Sequence, residues 1–193
     1  IATQRLTQIK PALKAIPLLE GLRSGPTTEI FNKAMATLKA NNIIPTDAKN
    51  DPTAVYQIVS KYLAQYVSGN PVGQRSDASQ TLAEASSPSP KTQINPALIK
   101  LTKDAITLDR VQAARAGAFE GKDYSKYGAH RSLFPASIDE RAFGIDMMTP
   151  EERQTLGAEM MTKRDTLEGQ RFWKSLEIAK KLKLVDPSSI KGE

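Results

Sequence analysis

The chain has 193 residues, a formal net charge of +6 and a pI near 9.5, with 39% hydrophobic and only 6% aromatic residues. That length suits one ordinary domain or two small ones, built on a lean core of Leu, Ile, Ala and Val. With no cysteine and a single histidine, His130, disulfides, thiol nucleophiles, Cys-based zinc sites, iron–sulfur clusters and a multi-histidine metal site within one chain are excluded. No loop has calcium-ligand spacing, and no cofactor is expected.

Residues 1–26 carry Pro11, Pro17, Gly21, Gly25 and Pro26, which leave room for short helical turns but not for a long helix. The chain starts at Ile1 without a signal-peptide pattern, which reads as a processed product or part of a longer chain. No apolar run approaches the ~20 residues that span a bilayer. Residues 1–50 hold 7 Lys/Arg against 3 acids, whereas residues 98–193 hold 17 against 15. The basic quarter makes Arg5, Lys10, Lys14, Arg23 and Lys33 the candidate nucleic-acid contacts; scattered solvated lysines are the plainer reading, because no dense basic block forms.

The first clear helix is expected over Thr28–Ala40, with Phe31, Ala34, Met35 and Leu38 on one face and Asn41-Asn42 ending it. A second runs from Pro52 to about Val67, opened by Asp51 as cap and Pro52 at the first helical position. Its buried face is expected to be Val55, Val59, Tyr62, Leu63 and Tyr66. A short helix follows at Asp77–Ala85, capped by Ser76, with Leu82 turned inward. The Ser/Pro-rich stretch 86–95 reads as a linker between an N-terminal helical region, 1–85, and a C-terminal one, 96–193.

Asn95-Pro96 opens the longest helix, to about Phe119. Leu98, Leu101, Ala105 and Leu108 line one seam, which then passes into Ala113, Ala114, Ala116 and Ala118, a face that permits close helix approach. The seam is too short for a coiled coil and fits an ordinary helix–helix contact. Residues 121–148 look irregular, punctuated by Gly121, Gly128, Pro135 and Gly144, with a helical turn expected at Ser137–Phe143. Yet they contain Tyr124, Tyr127, Leu133, Phe134, Phe143, Met147 and Met148, a composition that disorder does not use. This segment therefore packs on the helices or on a partner, and these seven residues are the candidate partner interface. Thr149-Pro150-Glu151-Glu152 is a capping box that opens a helix to about Met161. The last helix, about Thr166–Leu184, is expected to bury Phe172, Leu176, Ala179 and Leu182, with Lys180, Lys181 and Lys183 complementing its dipole. No strand pair is evident, so the fold class is all-α, with five to six helices and a packed irregular segment at about 121–148.

No catalytic residue stands out. His130 lacks a paired carboxylate and nucleophile in the sequence pattern and reads as a solvated or hydrogen-bonded loop residue. Asp139-Glu140 and Glu151-Glu152 are adjacent acids, not carboxylates set across a sugar cleft. No glycine-rich phosphate loop, zinc finger or RNA-recognition signature is present, and an enzyme is not expected.

One series is familiar in pattern: Ser76-Asp77-Ala78, Leu82-Ala83, Asn95-Pro96-Ala97, Leu108-Asp109-Arg110, Asp139-Glu140-Arg141-Ala142-Phe143 and Met147-Met148-Thr149-Pro150-Glu151-Glu152. Over roughly residues 51–185 it resembles the C-terminal regions of large virion-associated proteins of tailed bacteriophages, of the internal or DNA-ejection type. The resemblance implies a multi-copy helical component of a virion, inside the head or at the portal–tail vertex, that helps deliver DNA through the cell envelope. Its partners would be other virion proteins or copies of itself, with DNA as a further contact. Some such proteins carry a peptidoglycan-cleaving domain, but no residue here matches one.

Overall fold

The computed structural model describes residues 4–7, 9–10, 28–48, 51–87 and 93–186, without the side chains of Thr28, Ile30 and Tyr124. Every regular element among them is helical, and no strand occurs. Lys14 and Arg23 lie outside the described residues, as does most of the proline-rich start. The chain divides into two compact units, Gln4–Ala105 and Ile106–Glu193.

In the N-terminal unit, α1 (Thr28–Ala40) buries the expected stripe of Phe31, Ala34, Met35 and Leu38. It ends as the Asn pair suggests. Asn42 takes a left-handed φ of 55°, its N–H bonds Lys39 O at 3.0 Å, and the next N–H, of Ile43, bonds Leu38 O at 3.0 Å. These two hydrogen bonds satisfy two carbonyls that a helix end leaves open, and Ile43 and Ile44 turn into the core. Helix α2 (Pro52–Ser68) starts with the Asp51 side chain accepting the Thr53 N–H at 3.0 Å. Its buried face is Val55, Tyr56, Val59, Leu63, Ala64 and Val67. Tyr62 and Tyr66 are only half-buried, so Tyr56 takes the inner place that the sequence pattern had given to them. The 3-10 turn Pro71–Gln74 follows, capped by Asn70, whose side chain accepts from Val72 N and donates to Ala105 O, both at 3.1 Å.

Helix α3 (Ala78–Ser86) is one residue out of phase with expectation. No side chain caps it, Leu82 is only half-buried, and the small residues Ala78, Thr81 and Ala85 face inward instead. Nine residues with an alanine-sized inner face allow close packing on α2, and a leucine there would hold the helices apart. Glu84 accepts from Gln80 at 3.0 Å and from Asn95 at 3.3 Å, so the two flanks of the Ser/Pro stretch are tied together; residues 88–92 lie outside the described residues.

Helix α4 (Pro96–Phe119) has the expected bounds, with Asn95 accepting the Ala97 N–H at 2.9 Å. The division between units falls inside it, between Ala105 and Ile106, not at the 86–95 stretch. The first ten residues of α4 belong with the N-terminal unit because Leu98, Ile99 and Leu101 are buried there, and because Asn70 and Arg75 reach Ala105 and Asp104.

In the C-terminal unit the segment 121–148 is not irregular. It is a chain of short helical pieces: 3-10 at Tyr124–Lys126, α5 (Tyr127–Leu133), 3-10 at Pro135–Ser137, α6 (Arg141–Gly144) and 3-10 at Ile145–Met147. Glycine and proline break it into single turns without preventing each turn from being helical, which takes the helix number above five to six. It is packed, as its composition requires, and Phe134, Ile138, Phe143 and Ile145 are in the core. Helix α7 (Pro150–Thr162) opens with the full capping box, Thr149 and Glu152 bonding reciprocally at 3.2 and 2.8 Å. Helix α8 (Leu167–Lys181) is capped by Thr166, whose hydroxyl accepts the Gly169 N–H at 3.2 Å. A Cβ at Gly169 would lie 2.1 Å from Lys163 O, so only glycine fits the tight turn from α7 into α8.

Phe172, Leu176 and Ala179 are buried as expected, but Leu182 is 39% exposed. The helix stops three residues earlier than the sequence reading. Lys183 takes a left-handed φ of 54°, and the bonds Lys183 N–Lys180 O and Leu184 N–Ala179 O, at 3.0 and 2.9 Å, repeat the ending of α1. Leu182 thus falls at the cap and not on the buried stripe, and Val185 supplies the core contact.

Candidate partner interface

The C-terminal core joins Val111 and Ala114 of α4, Phe134, Ile138, Phe143 and Ile145 of the short helical pieces, Leu156 and Met160 of α7, and Phe172 and Leu176 of α8. Two polar devices hold its edges. Arg110 is 5% exposed and forms a two-pronged pair with Asp146, 2.6 and 2.9 Å, while also donating to Phe143 O at 2.8 Å. Asp146 also accepts the Asp186 N–H at 2.9 Å, so both charges are satisfied in low dielectric and the end of the described chain is pinned there.

The second device is a half-exposed ion network. Arg141 bonds Asp139 at 2.6 Å and Glu168 at 2.8 Å, and Lys163 bonds Glu159 at 2.7 Å and Glu168 at 3.0 Å. The hydrogen bond from Arg141, then that from Lys163, holds the Glu168 carboxyl below its usual range. The bond to Glu159, then that to Glu168, raises Lys163, and the Asp139 carboxylate raises Arg141 further. This network ties α6, the start of α8 and the turn before it.

His130 is placed by its neighbours. Its Nε2–H donates to Arg115 O at 3.1 Å, and its ring lies 5.0 Å from Phe119 and 5.5 Å from Phe134. The acids weighed for catalysis are dispersed: Asp139 is on Arg141, Glu152 is in the capping box, and Glu140 and Glu151 are exposed. Among the described residues no group of three or more His, Cys, Asp or Glu is placed to hold a metal ion, and no helix is long and apolar enough to cross a membrane.

The seven residues of the candidate interface separate. Phe143 is fully buried and Phe134 is 6% exposed, so both are core residues and neither presents a surface. Met147 and Met148 are half-buried, Met148 against the core cluster. Tyr127 is half-buried with its ring edge-on to Phe119 at 5.0 Å, and the Tyr124 side chain lies outside the described residues. Among the described side chains of the seven, Leu133 alone is open, at 69% exposure.

Leu133 lines a shallow, solvent-open cleft of about 370 Å³, shared with Ala136, Ser137, Leu167, Gln170, Arg171 and Lys174. Leu167 is 63% exposed, so two of the large apolar side chains most open to water share one cleft. Leu167, Arg171 and Lys174 escaped the sequence reading. The usable signal was phase: Leu167 is an apolar residue off the stripe of Phe172, Leu176 and Ala179, and such a residue has no core to enter.

In the N-terminal unit Lys10 and Lys33 are exposed, whereas the Arg5 guanidinium donates to Gly69 O. Comparison with protein-family models, with curated proteins and with solved structures yields no match to this chain.

Proposed function

We propose that the protein is a structural, assembly component of a tailed-phage virion, internal or at the portal–tail vertex, that takes part in DNA ejection through protein contacts and not catalysis. The single observation that carries the assembly reading is the Leu133–Leu167 cleft, since exposed leucines gathered in one concavity are a cost in water that a partner removes. The placement in a virion rests on the sequence resemblance over residues 51–185. Mass spectrometry of purified native particles tests it. The chain is expected among the internal or vertex proteins in several copies per particle; its absence from particles and its presence in a cell fraction would end the virion reading.

A second reading has its own observation, the exposure of Lys10 and Lys33 in the basic N-terminal quarter. On it the chain contacts DNA phosphates, and filter binding across a salt series would give a steep negative slope from counterion release. A weak and flat salt response is expected if assembly is the function.

A further inference from the structure

The cleft has a chemistry more specific than apolar. Along α8, Leu167, Gln170, Arg171 and Lys174 share one face, apolar at its start and basic one to two turns later. Among the described residues no carboxylate pairs with Arg171 or Lys174, although the neighbouring Arg141 and Lys163 are both paired. The surface therefore suits a helix that brings an apolar residue to the two leucines and an acid to the two cations.

The same unit carries such a helix. On α7, Glu151, Gln154, Ala158 and Met161 are all exposed and fall on one face at spacings of three and four, with the acid at the start and Met161, 55% exposed, at the end. Laid antiparallel, this face sets Met161 over Leu167 and Glu151 towards Lys174. The two rows span about 15 and 10 Å at 1.5 Å per residue, a difference that a lysine stem covers. Within one chain the faces do not meet, because α7 and α8 already pack through Leu156, Met160, Phe172 and Leu176 on their opposite sides.

We infer that the occupant of the Leu133–Leu167 cleft is the Glu151–Met161 face of a second copy of this chain. The contact is heterologous, one surface of each copy meeting a different surface of the next, so it repeats head to tail and either closes a ring or continues as a filament. It deepens the assembly reading and rests on it.

Sedimentation velocity of the full chain over a concentration series, with circular dichroism to confirm the fold, tests the contact. The wild type is expected to form species larger than its 21.1 kDa monomer. Leu133→Gln/Leu167→Gln, both at open positions, is expected to remain monomeric, and Arg171→Glu/Lys174→Glu and Glu151→Lys each to weaken association by roughly tenfold or more. Mixing the last two variants is expected to restore it, since one retains the acidic face and the other the basic cleft. Association that survives the leucine and charge variants unchanged would overturn this contact while leaving assembly standing. A wild type that stays monomeric would also overturn it, and the particle composition would then decide the assembly reading separately. If the wild type stays monomeric and Arg171→Glu/Lys174→Glu abolishes salt-sensitive DNA binding, the cations serve phosphates and the proposal falls.

Discussion

Arg110 and Asp146 are the residues on which the C-terminal unit depends most sharply. Each is nearly out of water, and each is satisfied by the other and by backbone groups at Phe143 and Asp186. Removing one partner strands the other charge. Arg110→Met is therefore expected to cost about 3–5 kcal/mol, and Arg110→Met/Asp146→Leu to recover most of it. Trp173 is the sole tryptophan and lies in this unit against Met160 O, so its fluorescence in a urea titration reports the change directly. Lys183 makes the opposite case. Its left-handed backbone is strained for any residue with a Cβ, and its side chain has no described partner that glycine would remove. Lys183→Gly is expected to stabilise the unit by about 0.5–1 kcal/mol in the same titration.

At the scale of elements, the short helices depend on their ends. Thr149 opens α7, a helix with a weakly apolar inner face, so its reciprocal bonds with Glu152 matter more than they would on a strongly amphipathic helix. Thr149→Ala is expected to lower stability by about 1 kcal/mol, read as a shift in urea midpoint with unchanged slope. The start of α8 is held by charge. Glu168 titrates below its ordinary value of 4.5 because Arg141 and then Lys163 bond its carboxylate. A carboxyl whose pKa is lower folded than unfolded stabilises the fold above the unfolded value, and that contribution is lost as pH falls through the folded value. Glu168→Gln is thus expected to lower stability at neutral pH and to flatten its fall below about pH 4.5. Lys163 behaves inversely: its raised pKa contributes below its ordinary value of 10.5 and is lost as pH climbs through the folded value. Both side chains are half-exposed, so 0.5 M salt is expected to shrink the difference.

At the scale of the molecule, the longer helices and their starts were legible among the described residues because their determinants are local. Asp51-Pro52, Asn95-Pro96 and Thr149-Pro150-Glu151-Glu152 each supply a side-chain acceptor and a fixed φ within four residues, and each starts a helix where expected. Of the large apolar residues of 121–148, Phe134, Ile138, Phe143 and Ile145 are packed into the core, as the composition of the segment required. Position in space was not legible. Phe134 and Leu133 are adjacent and both apolar, yet one is core and the other lines a cleft. The inner face of α3 fell to Ala78, Thr81 and Ala85 because proximity of α2 outweighed the hydrophobicity of Leu82. The division between units fell within α4 because Asn70 and Arg75, distant in sequence, bond to its first ten residues. The sequence by itself determined the helical character of the described residues, the starts of the longer helices and the lack of thiol or multi-histidine chemistry, all properties of residues a few positions apart. Only the tertiary structure decided that Leu133 and Leu167 share a cleft beside Arg171 and Lys174, because a short helix and a distant one meet there through contacts that no local pattern encodes.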